Sequence, residues 1–358
     1  MKRRIGQRLI IGFDGTELPS DIARLDEEWG IGGYILFRRN LESLNQIMEL
    51  NEELWALGQG VPPFIGVDQE GGKVHRLPEP FTVFAEMAQL GKLNSVSVAY
   101  EVGAIISREL TAVGFNLNFA PVLDLNTNPD SPVIGRRAIS DDPTQVTRLA
   151  KALIRGLHDN AIIACGKHFP GHGDTREDSH HVLPVCDLDL ETMRNREMRP
   201  FQKLSAASPN LDMIMTAHVM YPKLDPKHPA TLSRTILQDI LRLELGYKGL
   251  IVTDDLEMKA IADTMNIEDA TMAAVEAGND LFMVCHSLEK QTIVLETLLK
   301  LAESGKYPKH LWDKSFRRIR DVKADHFRVV RTLDRTHARE LVGNREHARI
   351  SRRLRDGR

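Results

Sequence analysis

The sequence predicts a single-domain (β/α)8 barrel of the TIM type. Three observations point there. Eight short, mostly apolar segments recur along the chain, each the right length for a parallel strand buried on both faces. Between them lie longer stretches with apolar residues three and four apart, the spacing of amphipathic helices. The rival architecture, a doubly wound dinucleotide-binding sheet, needs G-x-G-x-x-G after its first strand, and this chain reads FDGTEL there. Strand–helix alternation implies right-handed βαβ units, and eight of them close a barrel.

The predicted strands are Arg8–Phe13, Gly33–Phe37, Pro63–Val67, Asn116–Leu123, Ile162–Lys167, Met213–Ala217, Gly249–Thr253 and Asp280–Val284. Before the fourth, Val98, Val102, Ile105, Ile106, Leu110 and Val113 mark a helix over Val98–Val113, with Gly114 ending it. Before the seventh, Ser233 is placed to cap a helix carrying Ile236, Leu237, Ile240 and Leu241, which Gly246 ends. The stretch from Pro308 is helical in composition, and Trp312, Phe316, Ile319 and Val322 form a stripe expected to pack on the barrel. The barrel is assigned residues 1–330, and 331–358 are assigned to a charged helical tail. From about Asn344 the tail reads NREHARISRRLRDGR, polar enough to be expected as a frayed or solvated helix.

With 358 residues, 42% of them hydrophobic, the chain can bury a large core. The formal net charge of −3, with both signs interspersed, argues against a nucleic-acid or anionic-membrane partner. Cys165, Cys186 and Cys285 are far apart and form no C-x-x-C pair, so neither a zinc knuckle nor a disulfide framework is indicated. The apolar stretch Leu9–Phe13 is too short for a signal-peptide core, and no run nears the roughly 18 apolar residues of a membrane span. A cytoplasmic protein is expected.

Barrel chemistry belongs at the C-terminal ends of strands. Ionisable residues collect there: Asp68 and Glu70 after strand three, Asp124 and then Arg136 and Arg137 after strand four, Lys167-His168 after five, His218 after six, Asp254-Asp255 after seven. Structural ion pairs around the rim would read the same way. The loop KHFPGHGDTREDSHHVLP, Lys167–Pro184, is the most unusual segment. Pro170, Gly171 and Gly173 oppose regular structure, and a long polar loop at a barrel rim is usually functional. In Asp178-Ser179-His180 a carboxylate stands near an imidazole, the pairing that fixes a tautomer in acid/base histidines, although sequence proximity alone does not establish contact. His168 and His172 have the spacing of helical zinc ligands, but Pro170 and Gly171 break a helix there, so no metal is expected. No G-x-S-x-G elbow supports a serine hydrolase.

Six motifs occur in order: IGVDQEGGKVHRL (Ile65–Leu77), NFAPVLDL (Asn118–Leu125), VIGRRA (Val133–Ala138), KHFPGHGDT..DSH (Lys167–His180), TAHV.YP (Thr216–Pro222) and VTDDLEM (Val252–Met258). Together they resemble glycoside hydrolase family 3, in its single-domain β-N-acetylhexosaminidase branch, over nearly the whole chain to about residue 330. The resemblance implies a retaining hydrolase of terminal β-linked N-acetylglucosamine that needs no metal or organic cofactor. It makes Asp254 the nucleophile rather than Asp255, and His180 the acid/base rather than His181, with Asp178 as its partner. It carries substrate binding onto Asp68, Arg76, Arg137, Lys167 and His168, and leaves Glu70 and His218 as residues that could only support them. Lys73 stands where the family often has Arg. The acid/base loop is expected to be mobile and to close on substrate. The chain ends before the second domain of the family's β-glucosidases, which also lack the FPGHG…DSH loop. The implied role is cytoplasmic recycling of cell-wall muropeptides. Two other readings stay open: a phosphorylase, since histidine repels phosphate less than a carboxylate does, and an inactive carbohydrate-binding barrel.

Overall fold

The computed structural model describes residues 1–58, 60–207, 211–327 and 332–357. All eight predicted segments form strands: β1 (Leu9–Ile11), β2 (Gly33–Leu36), β3 (Phe64–Val67), β4 (Leu117–Asn118), β5 (Ile163–Phe169), β6 (Met213–Thr216), β7 (Leu250–Asp255) and β8 (Leu281–Val284). They run parallel in chain order, and β8 pairs with β1 to close the barrel.

Side chains alternate along each strand, as a period of two demands. Ile10, Phe64, Leu117, Ile163, Met213, Leu250 and Leu281 fill the interior together with Cys165, Met215, Val252 and Met283. Their neighbours Leu9, Ile11, Ala164, Ile214, Ile251 and Phe282 pack outward against the helices. Burial on both faces explains why the strands read as continuous apolar runs.

β4 is much shorter than predicted. Pro121 has no N–H for a ladder, and two asparagine side chains take over the bonding. Asn116 Oδ1 accepts from Ile65 N at 2.7 Å, and Asn118 exchanges two 3.0 Å bonds with the backbone of Gln69. The helix predicted at Val98–Val113 runs Val96–Ala112, begun two residues early because Ser95 caps it by accepting from Val98 N. Gly114 follows at φ +94°. Ser233 caps as expected, its Oγ accepting from Ile236 N, but Thr235–Glu244 is wound as a π-helix rather than an α-helix. Apolar spacings of one, three and four bury Ile236, Leu237, Ile240 and Leu241 in either winding, so the pattern could not separate them.

The helix Lys309–His326 closes the N-terminal end of the barrel. Ile319 joins the interior cluster, Trp312 is buried, and Phe316 and Val322 are partly buried, as their stripe predicted. Lys323 is buried with them. Its Nζ donates to Gly32 O and Gln7 Oε1, both at 2.8 Å, and lies 4.5 Å from the Phe64 ring centre. Burial brings its pKa down to about 7.

The tail corrects an expectation. The boundary placed between residues 330 and 331 lies outside the described residues. Beyond it, Arg335–Leu341 and Arg345–Asp356 are helices that pack on the barrel's outer layer, with Ala338, His347, Ile350 and Leu354 buried. Composition hid a stripe at spacings of three and four. A hydrogen bond reinforces it: His347 Nδ1 lies 2.7 Å from Glu109 Oε1. The Glu109 carboxylate also accepts from Gly343 N at 2.9 Å, Thr82 N at 2.9 Å and Thr82 Oγ1 at 2.6 Å. The three cysteines are free and buried. Among the described residues no helix is long and apolar enough to cross a membrane.

Candidate active site

The inward-facing row of each strand, carried one step past the apolar plug, lines a cavity of about 380 Å³ at the C-terminal end of the barrel. Ile35, Met215, Met283 and Cys285 are among its apolar lining. Ile35 is followed in the row by Phe37, Cys165 by Lys167, and Val252 by Asp254, all on the cavity wall. Asp68 continues the row from Phe64 through Gly66. Two irregularities sit at these ends. The β5–β6 register shifts between Gly166 and Phe169, and the β7–β8 register between Val252 and Asp255. Bulges of this kind re-aim side chains beside active sites.

One wall is a network of paired charges. Lys167 Nζ donates to Asp68 Oδ1 at 2.6 Å and lies 2.7 Å from Glu70 Oε1. Arg137 grips Glu70 with both arms, Nε to Oε2 at 2.9 Å and Nη2 to Oε1 at 2.8 Å. Burial would push the Glu70 pKa up, but the Lys167 and Arg137 cations outweigh it and hold the carboxyl far below its usual range. The sequence left Glu70 uncertain; it proves to be the anion that fixes two predicted binding residues. Arg76 also lines the cavity, and its buried Nε has no partner among the described residues.

Glu70→Gln is therefore expected to lower folding stability at pH 7 by about 3–5 kcal/mol, the cost of unpairing buried cations. A depressed carboxylate pKa contributes stability that is full above the unfolded value, near 4.3, and is lost as pH falls toward the folded value. Urea denaturation at pH 7 and again at pH 3 should show the gap between the two proteins narrowing in acid. A constant gap would show that charge pairing is not the cause.

His168, also on the wall, is oriented from behind. Asp124, fully buried at the end of the segment after β4, receives His168 N at 3.1 Å on each oxygen and approaches His168 Nδ1 to 2.7 Å. A proton on Nδ1 leaves Nε2 as the ring's free nitrogen. The same carboxylate accepts His172 N at 2.7 Å.

The loop after β5 brings Asp178 and His180 together. Asp178 Oδ1 accepts the His180 backbone N–H at 2.8 Å and lies 2.7 Å from His180 Nδ1. Partial burial would raise the Asp178 pKa, but these two bonds hold it below the usual value. His180 lines the cavity with a side chain still 62% exposed, whereas His181 does not reach it.

The two aspartates that end β7 differ sharply. The Asp255 carboxylate is consumed by the fold: Oδ1 accepts from Glu257 N at 3.1 Å and Cys285 N at 3.2 Å, and Oδ2 lies 3.4 Å from His286 Nε2. Among the described residues Asp254 accepts only the neighbouring Asp255 N–H, at 2.8 Å, and otherwise faces the cavity. Burial would raise its pKa, but the imidazoles of His218 and His168, the Asp255 N–H and His180 bring it below the ordinary carboxylate value. His218 stands behind this strand end, with Nε2 donating to Asp255 O at 2.9 Å and Nδ1 against the Thr231 hydroxyl.

All eight predicted site residues except Asp178 line the cavity, and Asp178 bonds to one that does. The reading of the sequence did not place Phe37, Ser179, Glu257 or His286 there. Phe37 and His286 stack with ring centres 5.8 Å apart and planes at 21°. The inward row through Ile35 was the available signal for Phe37. His286 sits just past β8, where no motif drew attention. Among the described residues no group of three or more His, Cys, Asp or Glu is arranged to hold a metal ion.

A closed parallel barrel whose C-terminal cavity gathers a carboxylate and oriented polar groups has the layout of a barrel enzyme's active site. The sequence matches the model of the glycosyl hydrolase family 3 N-terminal domain over residues 3–322, and the chain belongs to that family. The Beta-hexosaminidase of Idiomarina loihiensis is 39% identical over 83% of this chain and 89% of its own length. Beta-hexosaminidase A of Pseudoalteromonas piscicida is 35% identical over 95% of this chain, which spans only 60% of that longer protein. The crystal structure of NagZ from Neisseria gonorrhoeae in complex with N-trifluoroacetyl-D-glucosamine superposes with a TM-score of 0.79 at 30% identity, covering 98% of this chain and 97% of that one.

Proposed function

We propose that the protein is a retaining β-N-acetylhexosaminidase, releasing terminal β-linked N-acetylglucosamine in two steps. The observation that carries this reading is the contrast at the end of β7. Asp254 is ionised and uncommitted, while Asp255 is tied into the backbone. Asp254 attacks the anomeric carbon and forms a glycosyl ester; His180, paired with Asp178, gives a proton to the departing oxygen. His180 then takes a proton from water, which attacks the ester and releases the sugar with its β configuration kept. Asp68, Arg76, Arg137, Lys167 and His168 grip the ring hydroxyls and the acetamido group. The curated relatives' names and the N-acetylated glucosamine in the NagZ complex support the sugar assignment.

The test is hydrolysis of an aryl β-N-acetylglucosaminide beside the matching β-glucoside, with the anomer released followed by proton NMR. A preference for the N-acetylated substrate and a β first product are expected. Preference for the glucoside, or an α first product, would overturn the reading. We extend it to a physiological role, removal of N-acetylglucosamine from anhydro-N-acetylmuramyl peptides in the cytoplasm. Three buried, unpaired cysteines fit a reducing compartment. Muropeptides accumulating in cells that lack the protein, and activity in the cytosolic fraction, are the results that role requires.

A further inference from the structure

The end of β5 and the loop after it hold four histidines, and the reaction just described uses His168 and His180. His172 is 1% exposed and does not itself line the cavity, yet every polar atom of its ring is engaged. The Thr175 hydroxyl donates to the His172 carbonyl at 2.9 Å, so its oxygen must accept the Nδ1–H that lies 2.7 Å away. Nε2 is then the bare nitrogen, and it accepts the Ser179 hydroxyl at 3.1 Å. Burial pushes the His172 pKa down to about 4, which keeps that acceptor available at neutral pH.

The ring is itself anchored. His172 N donates to Asp124 Oδ1, the carboxylate that also orients His168. At the far end, Ser179 is buried, and its carbonyl accepts from Ala260 N, just beyond β7. His180 comes next, and among the described residues its hydrogen bonds reach only Asp178, two positions back. Where His180 stands relative to Asp254 is therefore inherited from Ser179. Ser179 in turn is held by His172.

We propose that His172 is a positioning residue for the acid/base, bracing Ser179 so that His180 enters the cavity where it can protonate the departing oxygen. The proposal rests on the role given to His180 above. It makes Asp124 the common root of two functions, since one buried carboxylate orients a sugar-binding imidazole and seats the brace for the proton donor.

A residue that only stabilised the fold would depress turnover of all substrates alike. A brace for the proton donor should matter most when the leaving group needs a proton. The experiment measures kcat and KM on phenyl and 2,4-dinitrophenyl β-N-acetylglucosaminides for His172→Ala, His172→Gln, Ser179→Ala, the 172/179 double alanine variant and His180→Ala. His172→Ala should lose about 10- to 100-fold in kcat/KM on the phenyl substrate, the scale of a displaced catalytic group, and far less on the dinitrophenyl one. Ser179→Ala should follow the same pattern with the Asp124 anchor intact, which keeps the test valid if His172→Ala does not fold. The double variant should be no worse than the poorer single one. His172→Gln, whose amide oxygen can approach the Nε2 position, should recover part of the loss. Equal losses on both substrates for His172→Ala and Ser179→Ala, with His180→Ala still selective, overturn the brace. If His180→Ala is itself unselective, the acid/base reading fails first and the brace falls with it.

Discussion

Replacing Asp254 by Asn should lower kcat/KM on an aryl β-N-acetylglucosaminide by at least about 10⁴-fold, the scale on which a covalent nucleophile's removal is felt, while leaving the fold intact. Among the described residues its carboxylate accepts one local backbone hydrogen bond, so the neutral amide leaves no distant donor among them unpaired. Asp255→Asn should do the reverse. That carboxylate accepts two backbone N–H groups from separate segments, so its loss should cost about 1.5–3 kcal/mol of stability before it costs chemistry. Melting curves and initial rates on the two variants separate the roles, and an Asp254→Asn protein keeping a tenth of its turnover would remove the nucleophile assignment. Because surrounding imidazoles hold the Asp254 pKa below the ordinary carboxylate value, activity should survive mild acid, with the nucleophile's acid limb in kcat/KM falling below about pH 4.

The second large effect concerns the proton donor. His180→Ala should lose about 10²–10⁴-fold on a poor leaving group, the span of general acid–base catalysis. With a dinitrophenyl substrate the first step hardly needs a proton, so the ester should form and then wait for a base. Azide needs no base, and adding it should restore turnover and yield the β-glycosyl azide. Asp178→Asn should show a weaker version, because the pairing at Nδ1 weakens while the imidazole stays. No azide product from His180→Ala would mean that His180 does not serve the second step.

Much of this site was legible from strand ends. The alternation that buries Leu250 and Val252 also points Asp254 inward, and the same count reaches Lys167 from Ile163 and Asp68 from Phe64. The family motifs chose Asp254 over Asp255; the hydrogen bonds supply a physical reason, since one carboxylate is spent on the backbone. Proximity in the sequence suggested the Asp178–His180 pairing without establishing it, and the family motif chose it; the two residues stand two apart in a long loop. Glu70 and Asp124 were visible as charges but not as hubs, because their nearest partners in sequence lie 67 and 44 residues away. His172 was hidden by its neighbours: four histidines in one loop look alike until burial separates them. The C-terminal helices were misread because the Arg-rich composition masked a narrow apolar stripe whose polar anchor, Glu109, lies 238 residues earlier. The π-wound helix was beyond reach, because its apolar spacing fits either winding.

Glu109 has a practical bearing on where the chain can be cut. The family match stops at residue 322, yet Glu109 bonds Gly343 and His347 beyond that point and Thr82 far before it. Thr82 lies six residues from Arg76, on the stretch that returns from the cavity wall. A protein shortened to the matched region would keep every residue proposed above to grip sugar but would strip the outer clamp from the segment carrying one of them. The matched domain thus ends short of the packed structure, and assays on trimmed versions would charge to catalysis a defect that begins on the opposite side of the wall.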